Sequence, residues 1–187
     1  MIEPKYQTFW PRFWAGAVDG IVFYPLSLVN RLTFREGVPL WARAAWYVIA
    51  SLSFIAYVVI MHARFGQTLG KMATGVRVLD LSEAKLLPRQ AFMREVVPLA
   101  LVLVALPSRL RLVLAGRNLY KPESIQGLGA RFWIAFWLVL AANFGWFVAE
   151  LITMLTNVKR RAVHDFIARS VVVRNIKPQE REFGGVV

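Results

Sequence analysis

An arginine and an aspartate seven residues apart, Arg12 and Asp19, sit in an apolar stretch that runs to about Leu32. Seven residues are about two helical turns, so a helix presents both from one face, and Asn30, eleven residues further on, extends the same stripe. The stretch is long enough to cross a bilayer at roughly 20 residues per span. A carboxylate left unpaired in hydrocarbon costs at least ~2.5–3.5 kcal/mol, so Asp19 needs a partner. Two chemistries follow: a proton or cation held by the carboxylate, or a polar seam that orients one helix against its neighbours. Gly16 and Gly20 form a small-xxx-small pair at which another backbone is expected to approach closely. Pro25 cannot donate a backbone bond and leaves an upstream carbonyl free.

Further ionisable groups lie near the ends of other apolar runs: His62, Arg94, Glu95 and Glu150, followed by His164 and Asp165 beyond the last run. Arg12 and Arg94 are placed to offset Asp19, Glu95 and Glu150 in a buried ionic cluster on the cytoplasmic side. The alternative is a proton or cation site whose carboxylates titrate near neutrality because desolvation raises them. Asn30, His62, Asn143 and His164 are secondary polar candidates. His164 and Asp165 are adjacent, so on a helix they point about 100° apart and do not form a preset acid–base pair. No Gly-rich phosphate loop, His-Glu-x-x-His helix or Gly-x-Ser-x-Gly elbow is present. The chain is therefore expected to be no enzyme, and to need neither cofactor nor metal. With no cysteine, disulfides and thiolate chemistry are excluded.

The elements that must position these groups are membrane helices. Of 187 residues 57% are hydrophobic, and the mean hydropathy is +0.49, which together do not fit a soluble single domain. Apolar runs place spans at about 11–32, 41–65, 88–107 and 132–155, within one integral membrane domain covering 1–187. The third span is the shortest, since Pro88 starts it but Arg89, Arg94, Glu95 and Pro98 interrupt it. Residues 108–131 read as a loop insert with a surface helix, and 157–187 as a cytoplasmic tail. The fold class is thus an all-α membrane protein, a bundle of about four transmembrane helices with interfacial helices.

The net charge of +12 comes from basic residues that flank the spans, not from an interleaved basic and aromatic face. Anionic lipid headgroups are the expected partner and nucleic acid is not. A homo-oligomer or another membrane protein is the protein partner the seam would suit. Basic residues concentrate near the N-terminus, in the second loop and in the tail, which puts both termini in the cytoplasm. The first residues lack a secretory signal, so the first span is expected to be retained, in the cytoplasmic (inner) membrane. Val76-Arg77-Val78-Leu79-Asp80 alternates as a short strand, and Ser170-Val171-Val172-Val173-Arg174 is its candidate partner, with Arg77 near Val172.

These residues resemble the RDD family of small multi-pass membrane proteins, which takes its name from one arginine and two aspartates. Arg12 matches the arginine opening the first helix, and Asp19 the aspartate within it. Gly66-Gln67-Thr68-Leu69-Gly70-Lys71 with Gly75-Val76-Arg77-Val78-Leu79-Asp80 resembles the loop after the second span. Arg160 or Arg161, His164-Asp165 and Ser170-Val171-Val172-Val173 resemble the closing motif, which makes Asp165 the second aspartate. Ala168-Arg169-Ser170 departs from the family's small residue followed by glycine or threonine. The resemblance implies membrane transport, with cation/proton antiport as its sharper form. The other reading is a non-catalytic scaffold or regulatory subunit of a larger membrane complex. Asp165 is expected to be partly buried and to face Arg12 or a residue of 66–77.

Overall fold

The computed structural model describes residues 3–121, 123 and 126–175. The part of the tail from 176 onward lies outside the described residues, as do residues 1, 2, 122, 124 and 125. The elements in chain order are α1 (Phe9–Thr33), α2 (Leu40–Phe65), α3 (Leu69–Ala73), β1 (Val76–Asp80), α4 (Pro88–Arg94), α5 (Val96–Leu114), α6 (Ala130–Thr156), α7 (Val163–Ile167) and β2 (Ser170–Arg174). Among the described residues α2, α5 and α6 are long and apolar enough to cross a membrane. Helix α1 spans 25 residues, also enough in length, but it carries Arg12, Asp19 and Arg31 and is not in that set.

The third span differs from its expected 88–107 bounds. Pro88 does start a helix, α4, and the Leu87 N–H is capped by Gln90 Oε1 at 3.0 Å. Glu95 then leaves helical geometry at φ −102°, ψ 4°, and a separate helix begins at Val96. Pro98 explains the break: it has no N–H for the Arg94 carbonyl and its ring clashes there, but it fits the first turn of a new helix. Helix α5 runs through Pro107 to Leu114, so residues 108–114 belong to it and not to a loop insert.

Strands β1 and β2 form an antiparallel pair in which Val76 faces Arg174, Val78 faces Val172 and Asp80 faces Ser170. Arg77 therefore lies opposite Val173, one residue from the expected Val172. Val76 and Val78 alternate with exposed Arg77 and pack with Leu86, Ala91 and Val172 into a small apolar core, with Ala63 of α2 against it. At the open end of the sheet, Asp80 Oδ1 takes the N–H groups of Ser82 and Ala84 at 2.9 and 2.8 Å, which closes the turn after β1.

The chain gathers into two compact units. One holds the residues up to Gly20, Val58–Glu95 and those from Ala149 on, and contains the sheet, α3, α4 and α7. The other, Ile21–Tyr57 with Val96–Val148, centres on Phe34, Tyr47 and Val113. There Asn30 accepts from Trp46 Nε1 at 2.7 Å, and Asn118 Nδ2 donates to the Phe34 carbonyl at 3.0 Å.

Candidate functional site

Each polar or glycine residue of the 66–71 loop has a distinct task. Gly66 adopts φ +68°, and a Cβ there would come within 2.9 Å of the Val78 carbonyl; its own carbonyl accepts from the Val78 N–H at 2.8 Å. Gln67 Nε2 donates to the Val76 carbonyl at 2.9 Å. Thr68 caps α3 by accepting from the Lys71 N–H, and its hydroxyl donates to Asp19 Oδ2 at 2.6 Å. The Gly70 N–H donates to Asp19 Oδ1 at 2.8 Å. Asp19, 4% exposed, is thus held by the loop. The close backbone approach is made by Ala15 and Gly70, because a Cβ on Gly70 would lie 2.0 Å from the Ala15 carbonyl oxygen. Gly16 and Gly20, which were expected to make it, have nothing within 4 Å of a built Cβ.

Both arginines go to Asp165. Arg12 Nη1 donates to Asp165 Oδ2 at 2.8 Å, and Arg94 Nη1 donates to Asp165 Oδ1 and to Ser170 Oγ. The Ala162 N–H adds a 2.9 Å bond to Oδ2. Asp165 is fully buried, beyond the partial burial the sequence implies. Burial alone would raise its pKa, but Arg12 and Arg94 hold it well below the usual carboxylate range. Its ionised form is the stable one.

Arg12 also joins the two neighbours His164 and Asp165 that a helix would splay apart. Its Nη2 lies 3.0 Å from His164 Nε2, and a guanidinium can only donate, so Nε2 accepts and the proton sits on Nδ1. Nδ1 lies 2.8 Å from Glu150 Oε2, and the His164 N–H donates to Glu150 Oε1 at 3.1 Å. Burial lowers the His164 pKa, in keeping with a neutral ring.

A third group joins α2 to α3. His62 is 1% exposed, and its Nε2 lies 3.1 Å from Lys71 Nζ, while Nδ1 has no hydrogen-bond partner among the described residues. Burial and the charges of Arg94 and Arg12 bring Lys71 down to about 8.

The remaining predicted residues are placed as follows. Glu95 caps the end of α4 with its N–H on the Phe92 carbonyl at 2.9 Å, and its carboxylate makes no hydrogen bond or ion pair among the described residues, acting on Lys71 through its charge. Asn143 is exposed and donates to Val139 of its own helix at 2.8 Å. Asn30 serves Trp46, in the other unit. The expected Asp19–arginine pairing is replaced by Asp19–Thr68 and Asp19–Gly70, since the arginines are engaged by Asp165. Sequence reasoning names Thr68, Gly70, Lys71 and Ser170 only as parts of the loop and closing motifs and gives them no place in the charge cluster. A capping threonine followed by glycine and lysine two and three residues on is the pattern that marks three of them. Among the described residues no three His, Asp or Glu side chains lie together as metal ligands would.

Apolar helices of membrane-crossing length, together with a compact unit of short elements closed by buried ion pairs, define a small multi-pass membrane protein. The chain belongs to the RDD family, whose model matches residues 6–169. It is similar to YteJ of Bacillus subtilis (strain 168), an uncharacterized membrane protein, with 34% identity over 104 residues that cover 52% of this chain and 63% of that one. The match thus spans less than two thirds of that relative's length. No solved structure matches the chain.

Proposed function

We propose that this is a cation/proton-coupled transport protein of the cytoplasmic membrane, without enzymatic activity, in which His62 and Lys71 exchange the proton. The observation that supports this is the buried His62 imidazole, bonded at Nε2 and unpartnered at Nδ1. Buried polar atoms are nearly always bonded, so an open one calls for a reason. When Lys71 is charged it donates to Nε2, and the ring carries its proton on Nδ1. When Lys71 is neutral it can accept from Nε2–H, and Nδ1 becomes an acceptor. One proton on Lys71 therefore switches His62 between donor and acceptor toward the unpartnered side. Arg94, Arg12, Glu95 and Asp19 supply the charges that surround Lys71, and its pKa near 8 allows the switch to operate close to neutral pH. In this reading Asp19 and Asp165 are framework and not carriers.

The test is ion flux into proteoliposomes under an imposed pH gradient. Sodium or potassium movement driven by the gradient is expected for the unaltered chain and expected to vanish in Lys71→Met with folding intact. Flux that persists in Lys71→Met would remove the pair from the mechanism.

A second reading, a scaffold or regulatory subunit that docks another membrane protein, is favoured by the closure of Arg12, Arg94, Asp165, His164 and Glu150 upon one another. Absence of flux for every monovalent cation tested would decide for it.

A further inference from the structure

The ends of α1 and α6 and the edge of the sheet enclose a cavity of about 760 Å³. One wall is aromatic: Trp10 and Trp14, one turn apart, are 64% and 57% exposed. Arg160 and Arg174 make the cavity basic as well, Gln7 and Thr74 also line it, and among the described residues no carboxylate does. Arg174 is exposed and makes no hydrogen bond or ion pair among the described residues. Arg160 spends Nη1 on the carbonyl of Leu155 at 2.6 Å, closing the end of α6, and its other guanidinium N–H groups make no hydrogen bond among the described residues.

We infer that this cavity is a binding site for one anionic phospholipid, its phosphate between Arg160 and Arg174 and its upper acyl chains along Trp10 and Trp14. The occupant follows from where each wall lies. Tryptophans at the end of a membrane helix sit at headgroup depth, with an apolar body toward the acyl chains. Guanidiniums just beyond them meet the phosphate layer and bind it with two parallel N–H bonds. A zwitterionic lipid adds a cation to a site that already holds two and, among the described residues, has no carboxylate to receive it. The cavity is of the size that ligand sites commonly have. This site shares none of the Asp19, His62, Lys71 or Asp165 side chains, so it stands or falls apart from the transport reading.

Native mass spectrometry of the full chain, equilibrated with phosphatidylglycerol or with phosphatidylcholine, reads the site directly. Preferential retention of phosphatidylglycerol is expected. Arg174→Gln should weaken that retention about fivefold, the worth of one basic residue at an anionic surface, and Arg174→Lys should restore most of it. Arg89→Gln, which removes an equally exposed charge from α4, should leave it unchanged. Equal retention of both lipids would overturn the assignment, as would equal losses in Arg174→Gln and Arg89→Gln. Displacement of the lipid by an equal concentration of inorganic phosphate would assign the cavity to a soluble anion instead.

Discussion

Asp165 accepts from two buried guanidiniums, from the Ser170 hydroxyl and from the Ala162 N–H. Removing it leaves Arg12 and Arg94 buried without a counter-charge, and breaking a buried pair in this way costs about 3–5 kcal/mol. Asp165→Ala is therefore expected to melt far below the unaltered protein in detergent, while Arg89→Gln melts with it. A control in the tail such as Glu180 lies outside the described residues. Equal melting of the Asp165 and Arg89 variants would contradict the network. Gly70→Ala is expected to be comparably damaging, since backbone and not a flexible side chain occupies the space of the new methyl. Gly16→Ala and Gly20→Ala meet nothing and should fold normally. Lys71 gives a prediction of opposite sign in pH. Its folded pKa near 8 lies below the ordinary 10.5, so between those values the unfolded chain binds a proton that the folded chain has released. Stability contributed by this group is lowest below pH 8 and rises as pH climbs toward 10.5. The melting temperature of the unaltered protein, referenced to Lys71→Met, should rise across that window; a flat difference would place Lys71 in water.

At the scale of elements, the sheet offers a sharper check than its existence. Cysteines at Arg77 and Val173 should crosslink, because the two face each other across the ladder. Cysteines at Arg77 and Val172 should not, because a one-residue shift moves a side chain to the other face. Reversal of the two results would mean a slipped register. The pairing of these strands is legible in the sequence because a lone strand at Val76–Asp80 needs a partner and the valine-rich run Ser170–Arg174 is a candidate for it. Its register is not, since neither run carries a hairpin turn to fix it. Helix ends were likewise readable where proline or a basic residue marks them, as at Pro88. The split at Glu95 turns on which carbonyl Pro98 would block, and periodicity does not expose that. The cluster was legible as a set of charges and not as a set of pairs. Arg12, Asp19 and Asp165 were visible, but helical spacing pairs Arg12 with Asp19 on one face. The fold instead gives Asp19 to the capping loop through the Thr68 hydroxyl and the Gly70 N–H, and both arginines go to Asp165.

For the whole molecule, the bonds inside one unit constrain how many times the chain crosses the membrane. Lys5 Nζ and Tyr6 Oη bind Glu83 at 2.9 and 2.6 Å, so the segment before α1 and the loop after β1 lie on one side. The long helices between them are α1 and α2, joined by the short 34–39 connection. Helix α2 has the length and apolarity to cross, and a single crossing would leave Lys5 and Glu83 on opposite faces. Helix α1 is then expected to cross as well, although its own hydropathy does not demand it, its charges being tolerated because Asp19 and Arg12 are satisfied by protein. The same parity holds for α5 and α6, since β1 pairs with β2. Four crossings are expected, with the basic sheet side in the cytoplasm. The chain has no cysteine, so single cysteines report cleanly. A membrane-impermeant maleimide added outside intact cells should label Glu36→Cys, whose side chain is 98% exposed, and should label Lys85→Cys only after the membrane is opened. Labelling of both positions from outside would mean that α2 does not cross, and labelling of Lys5→Cys from outside together with Glu36→Cys would mean that α1 does not cross, so that the union of the N-terminal segment with the loop would need another explanation.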